Sequence, residues 1–260
     1  MRIRGYAAGT PCWSELRTSD PTGSIEFYHE LFGWKPVGDT GGPRVDFHLR
    51  DMAVAGLSAS ADIGTPSAWL TYVATDDTAA TVDATARAGG VAVAPAVRHP
   101  DRGVSALVAD PQGAVFGLWQ RGPFPGAQVT AEPGTICWNE LATRDVAGAG
   151  SFYGTVFGWT ARASAFGGTD GYQDWLRQTR EVAGLIEMGE RYPPQVPAHW
   201  RTTFEVDDCA TAVQRCSSLG GQITFGPYEA GPGTYAQLTD PLGASFGIIA
   251  VCPEYRASLG

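Results

Sequence analysis

The sequence predicts an α+β protein made of two tandem copies of one domain, each copy containing two βαβββ units. Three features point to it. Residues 9–34 return as residues 134–159, with 14 identities in 26 aligned positions, and Trp13 and Trp138 stand 125 residues apart. A repeat of this length sets the architecture before any local reading. Each copy opens with an alternating strand, then an aspartate-capped helix with one apolar face. Each copy also ends on an equivalent turn, Asp110-Pro111-Gln112-Gly113 or Asp240-Pro241-Leu242-Gly243, followed by an apolar strand.

Residues 10–18 alternate in polarity and contain Cys12, Trp13 and Leu16, the pattern of a half-buried strand. Asp20 caps a helix with Pro21 at its first position, and Asp145 repeats the cap. Ile25, Tyr28, Leu31 and Phe32 share one helical face, as do Ala149, Phe152, Tyr153 and Val156. Gly33 and Gly158 suit the left-handed residue that closes a helix. Strands are expected next at 34–37, 45–49 and 52–59, which completes the first unit. In the second unit, a strand at 69–75 precedes a helix capped by Asp76-Asp77 and ended by Gly89-Gly90. Strands at 91–97, 104–109 and 114–120 follow. The second half repeats this with a strand at 200–206, Asp207-Asp208, Gly220-Gly221 and a last strand at 244–251. Linkers are expected at 58–67, 121–133 and 192–197, giving domains at 1–122 and 132–260, each sized to bury a core of its own.

Composition narrows the function classes. The net charge of −9 argues against a nucleic-acid partner, which needs a basic surface. The start lacks a basic segment leading into an apolar run, and no apolar run approaches 20 residues, so neither export nor a membrane span is expected. Five cysteines without CxxC spacing fit reduced thiols and a cytoplasmic location.

The opening strand, the D-x-x-x-S/A-x-x-F-Y-x-x-x-F-G-W helix and the final D-P-x-G-A-x-F-G-L/I strand resemble the vicinal oxygen chelate superfamily. That group holds glyoxalases, bleomycin-resistance proteins and extradiol dioxygenases, and the resemblance covers nearly the whole chain. With W-x-E-L in both halves, the chain is similar to a two-domain actinobacterial form carrying glyoxalase-like or hydroxylase names, some of it from aromatic-polyketide clusters. The resemblance implies paired βαβββ units whose mixed sheets curl into cups, with helices outside and ligand inside. It also locates the metal ligands of metal-using members: a histidine at the Trp13 and Trp138 positions, a second at Leu70 and Arg201, and a glutamate at Gly117 and Gly247. A further glutamate falls within 54–57 and 182–185. None of these residues offers an imidazole, carboxylate or thiolate, so no metal and no cofactor is expected.

Strand alternation, started from Trp13 and Trp138, then assigns the cup walls. It directs Glu15 and Glu140 inward, with His48, Tyr72 and Trp119 in the first half and Trp175, Arg201, Tyr235 and Gln237 in the second. Aromatic rings beside polar groups on a concave wall suit a flat ligand, while the same tryptophans can also serve as packing. An inward carboxylate needs a partner, and Arg17 and Arg201 are candidates. Cys12 and Cys137 read as apolar filler. Which units combine to close a cup stays open. The expected function is metal-free binding of an aromatic or polyketide-like small molecule, in antibiotic resistance or beside a biosynthetic tailoring enzyme. The alternative is a cofactor-independent enzyme of hydroxylase, isomerase or cyclase type, with Glu15 or Glu140 as acid–base. A monomer and a homodimer are both compatible with the sequence.

Overall fold

The computed structural model describes residues 3–60, 67–165, 171–190 and 192–258. The first half runs β1 (Pro11–Thr18), α1 (Pro21–Phe32), β2 (Lys35–Val37), β3 (Arg44–Leu49), β4 (Met52–Ala59), β5 (Ala68–Thr75), α2 (Thr78–Arg87), β6 (Val91–His99), β7 (Gly103–Ala109) and β8 (Val115–Arg121). The second runs β9 (Ile136–Thr143), α3 (Val146–Phe157), β10 (Trp159–Ala163), β11 (Gln173–Arg177), β12 (Arg180–Glu187), β13 (His199–Glu205), α4 (Cys209–Ser218), β14 (Gln222–Ala230), β15 (Gly233–Thr239) and β16 (Ser245–Val251). A short α5 (Pro253–Ser258), which no sequence signal announced, follows. Every expected strand and helix is present, with ends shifted by a residue or two. Of the linker expected at 58–67, residues 61–66 lie outside the described residues.

The helix ends form as their side chains dictate. Asp20 Oδ1 accepts the Gly23 N–H at 3.0 Å, and Gly33, at φ 73°, returns its N–H to the His29 carbonyl. Asp145, Asp77 and Asp208 cap the other three long helices in the same way. Each cap contributes about 1 kcal/mol.

Each half forms one curled eight-stranded mixed sheet, in the orders β2-β3-β4-β1-β5-β8-β7-β6 and β10-β11-β12-β9-β13-β16-β15-β14. β1 runs antiparallel to β5, and β9 to β13. The two units that close each cup therefore come from the same half.

The helix side obeys a different rule. One apolar cluster joins Leu16, Phe27, Tyr28 and Trp34 of the first half to Phe204, Cys216, Phe246 and Ile248 of the second. The other joins Val73, Phe116 and Leu118 to Leu141, Phe152, Tyr153 and Trp200. The sheets stand back to back, with the helices on their convex faces and each core shared between halves. The expectation that each half buries a core of its own is thus corrected.

Two reciprocal polar chains cross this junction. Trp69 Nε1 donates to Tyr28 Oη at 2.9 Å, and Tyr28 Oη donates to Asp240 Oδ2 at 3.1 Å. Trp200 Nε1, Tyr153 Oη and Asp110 Oδ2 repeat the arrangement at 2.9 and 3.0 Å. Each aspartate also accepts two backbone N–H groups through Oδ1, one within its own D-P-x-G turn and one from the alanine that follows it. Burial raises both aspartate pKa values. Between the sheet backs, Asn139 Oδ1 accepts from Thr71 Oγ1 at 2.9 Å and Thr202 Oγ1 at 3.1 Å, while Ser14 Oγ lies 2.9 Å from Thr202 Oγ1.

Two outcomes are expected. Asp240→Ala leaves buried donors of both halves unmet and lowers unfolding free energy by about 3 kcal/mol, read from denaturant midpoints. Residues 1–122 expressed alone expose half of each shared core, so they self-associate or bind a hydrophobic dye and lack a fixed near-UV spectrum. A well-packed monomer of that fragment would contradict the shared-core arrangement.

Candidate functional site

The first cup collects Trp13, Glu15, Arg44, Tyr72, Arg102, Ser105, Trp119 and Phe124 around only about 10 Å³ of free space. Trp13, Glu15, Tyr72 and Trp119 are all buried. Register explains the grouping, since Trp13 on β1 sits opposite Tyr72 on β5, and Tyr72 opposite Gly117 on β8. Glu15 is paired with Arg44 of β3 at 3.3 Å and receives the Tyr72 hydroxyl at 3.4 Å. Its partner is not Arg17, which is exposed on β1. Burial, reinforced by the Glu15 charge, raises the Tyr72 pKa, so Tyr72 stays a neutral donor. Arg102 grips Asp46 bidentately, at 2.6 and 3.1 Å, and lies over the Phe124 ring. His99 lies tilted against Trp119, with ring centroids 5.9 Å apart, and shares a 2.7 Å hydrogen bond with Ser105 Oγ.

The second cup is built from equivalent positions with different chemistry. Glu140 on β9 sits opposite Arg201 on β13, and the two form an ion pair. Tyr172 Oη donates to Glu140 Oε2 at 3.0 Å and accepts from Trp138 Nε1 at 2.8 Å. Arg201 donates a second time to Tyr192 Oη at 3.1 Å, while its Nε is buried without a partner. Burial is the largest single effect and works against the Arg201 charge, but Glu140 with Tyr235, Tyr192 and Tyr172 together outweigh it and raise its pKa, so the guanidinium is permanent. Tyr235 Oη donates to Gln237 Oε1, and Gln237 Nε2 donates to Ser245 Oγ at 2.8 Å. Unlike the first cup, Trp138, Tyr172, Arg201 and Tyr235 are only half-buried. Tyr228 lies opposite Tyr235 with its ring 5.6 Å away, and Phe225 packs on Tyr228 at 5.0 Å. Phe225 and Tyr228 are exposed, so an aromatic wall runs from solvent down to Arg201 and Glu140. At the other end, Arg256 of α5 pairs with buried Glu205.

Two residues assigned to the cups lie elsewhere. Trp175 faces the helices and is wholly buried against Tyr153 and Trp159. Asp174 registers on Gly184, which registers on inward Glu140, so alternation turns Trp175 outward. Its first-half equivalent is Phe47, also in a core. His48 sits half-exposed at the outer end of β3 beyond a bulge, opposite Lys35 and Ala53, and does not line the first cup. Alternation missed Arg44 and Tyr172, which hold equivalent places before Asp46 and Asp174. Arg102, Phe124 and Tyr192 come from loops, which carry no periodicity to find them.

The positions at which the family resemblance implies metal ligands are physically filled. A Cβ on Gly117 would lie 2.1 Å from the Tyr72 ring, and one on Gly56 3.0 Å from the Trp13 ring. On Gly184 it would meet Tyr172 Oη at 2.0 Å and Trp138 Nε1 at 2.8 Å, and on Gly247 Thr203 Oγ1 at 2.5 Å. Glycine is required where a carboxylate would stand, because a ring occupies its space. Among the described residues, no three His, Cys, Asp or Glu side chains gather to hold an ion. The donor set does not fit a divalent metal in either cup.

Elemental analysis after incubation with Mn(II), Fe(II) or Zn(II) and desalting is accordingly expected to find far less than one ion per chain. A stoichiometric ion removable by EDTA would overturn the assignment. Arg201→Met, which strands Glu140, is expected to cost about 3–5 kcal/mol of stability, and the pair Arg201→Met/Glu140→Leu distinctly less. Denaturant titration of the three proteins checks both.

Comparison with known proteins follows from this geometry. The profile of the Glyoxalase/Bleomycin resistance protein/Dioxygenase superfamily matches twice, at residues 11–118 and 126–248. A Mycobacterium tuberculosis protein named "Putative glyoxylase CFP32" is 36% identical over 96% of this chain and 97% of its own length. The anthracycline biosynthesis protein DnrV of Streptomyces peucetius is 33% identical over 98% of each chain. Among solved structures, the Mn(II)-bound glyoxalase from Novosphingobium aromaticivorans superposes with a TM-score of 0.64 at 16% identity, covering 94% of this chain and 83% of that one. The 2,3-dioxygenase LapB from Pseudomonas sp. KL28 gives 0.64 at 17% identity, covering 94% and 93%. These two share the fold. With two profile matches and full-length relatives above 30% identity, the chain belongs to the glyoxalase/bleomycin resistance protein/dioxygenase superfamily.

Proposed function

We propose that this protein binds a flat aromatic, polyketide-like small molecule without a metal, in antibiotic resistance or as an accessory to antibiotic biosynthesis. The second cup is the binding site. The observation that carries the reading is its wall, in which Phe225, Tyr228, Tyr235, Tyr172 and Trp138 lead from solvent to a buried Glu140–Arg201 pair. Aromatic faces supply area for a planar ligand. The Tyr192 hydroxyl, which accepts from Arg201 and keeps its own proton to give, supplies a directional bond to its oxygens. Relatives named for anthracycline biosynthesis support this class of ligand. In that setting a tailoring enzyme is the natural partner, and five free cysteines suit a cytoplasmic location. Among the described residues no helix is long and apolar enough to cross a membrane.

A second reading rests on Glu140, held in the cup wall by Tyr172 and Arg201, as the acid–base of a cofactor-independent hydroxylase, isomerase or cyclase. The ion pair favours binding over catalysis, because both Glu140 oxygens are already engaged, one by Arg201 and the other by the Tyr172 hydroxyl.

Calorimetry with 9,10-anthraquinone-2-carboxylate tests the proposal. Saturable binding to the intact protein is expected, weakened at least tenfold by Tyr228→Ala, whose exposed side chain can be removed without cost to the core. Absence of binding, or binding that Tyr228→Ala leaves unchanged, would count against the second cup. Glu140→Gln separates the two readings: a binding protein loses affinity, whereas an enzyme loses turnover and keeps affinity within a few-fold.

A further inference from the structure

The first cup is full, and the ring that fills it does not come from its own eight strands. Phe124 lies three residues beyond β8, on the segment leading to the second half. Its ring meets Trp13 edge-on, with centroids 5.0 Å apart at 88°, and Trp119 at 5.9 Å and 81°. The Arg102 guanidinium carbon stands 3.9 Å from the ring centroid. Two edge-on indoles and a guanidinium over the face form a box shaped for one aromatic ring. Two bonds to its main chain hold the segment in place, from the Trp119 indole Nε1 to the Phe124 carbonyl at 3.1 Å and from the Phe124 N–H to the Arg102 carbonyl at 3.2 Å.

The fit is sound for hydrocarbon and incomplete for polar groups. Arg102 Nε is buried with no hydrogen-bond partner, against the rule that buried donors are met. Ser105, Arg44 and the Glu15–Tyr72 pair line the same space. A phenyl ring offers none of them an acceptor. A ring carrying an oxygen would pack as Phe124 does and also meet Arg102. The space left beside Phe124, about 10 Å³, holds one water at most, so such a ring enters only if Phe124 leaves.

We propose that the first cup is a second site for a flat aromatic molecule bearing an oxygen acceptor, kept shut by Phe124, which the ligand displaces. The inference rests on reading these cups as aromatic-ligand sites, but it concerns a different cup and different residues from the proposed function. Displacement swings the 122–127 segment out, so occupancy of this cup is coupled to the connection between the halves.

The test uses the full chain with 3-hydroxy-2-naphthoate as probe, followed by hydrogen exchange and by titration of tryptophan fluorescence. In the unmodified protein, saturating probe is expected to speed exchange of the 122–127 amides at least tenfold. Phe124→Ala is expected to bind the probe at least tenfold more tightly, and Trp13→Leu in that background to remove the gain. Should Phe124→Ala fail to fold, Phe124→Leu keeps most of the packing and is expected to show a gain of several-fold. Unchanged exchange at 122–127 with probe bound, or a folded Phe124 variant with no gain, overturns the closed site. Either result with anthraquinone binding and its Tyr228 dependence intact leaves the second-cup function standing, so the two failures are distinguishable.

Discussion

Neither half of this chain has a finished hydrophobic interior, and that shared incompleteness organises the molecule. Tyr28 of the first half spends its hydroxyl on Asp240 of the second, and Tyr153 returns the contact to Asp110. Because the helix sides are committed to each other, the concave sides are left as the surfaces free to vary. The polar knot of Ser14, Thr71, Asn139 and Thr202 between the sheet backs fixes the register of one half on the other. Buried polar groups of this kind are stable only when all are met, and a slip of one residue would strand them. Two cups can therefore diverge in chemistry while the frame that carries them stays symmetric.

The divergence is concrete. In the first cup, a carboxylate is met by an arginine from β3, and in the second by an arginine directly across from it on β13. Tyr172 takes the place that Arg44 holds in the first half, so the cation that meets the inward glutamate moves to another wall. The outcome is a closed, ring-filled cup beside a less deeply buried one lined with hydroxyls. Symmetry in the fold does not imply equivalence of the sites.

Much of this was legible in the sequence, for identifiable reasons. The repeat, aspartate caps, left-handed glycines and D-P-x-G turns are local signals, and each produced the element it promised. Alternation placed Trp13, Glu15, Tyr72 and Trp119, and Trp138, Glu140, Arg201, Tyr235 and Gln237, on concave faces. It fails at Trp175, whose parity is fixed by Asp174 through Gly184 to Glu140, and at His48, which lies beyond a bulge in β3. Aligning Trp175 with Phe47 through the shared VAGL segments would have turned it outward. Phe124, Arg102 and Tyr192 were beyond reach, since loop residues reach a site through the path of the whole chain.

The glycines on the cup floors carry a consequence for how such a protein can change over time. At Gly117, Gly56, Gly184 and Gly247 the missing side chain and the neighbouring ring fit as a pair. Restoring a carboxylate at one of them collides with an indole or phenol. Restoring a histidine at Trp13 or Trp138 alone leaves a hole over a glycine. Each single step toward chelation passes through a destabilised intermediate, and several must be made together before an ion gains a second donor. The chain thus sits behind a barrier in sequence space, where change that reshapes the existing cup walls is far more accessible than change that builds a metal site.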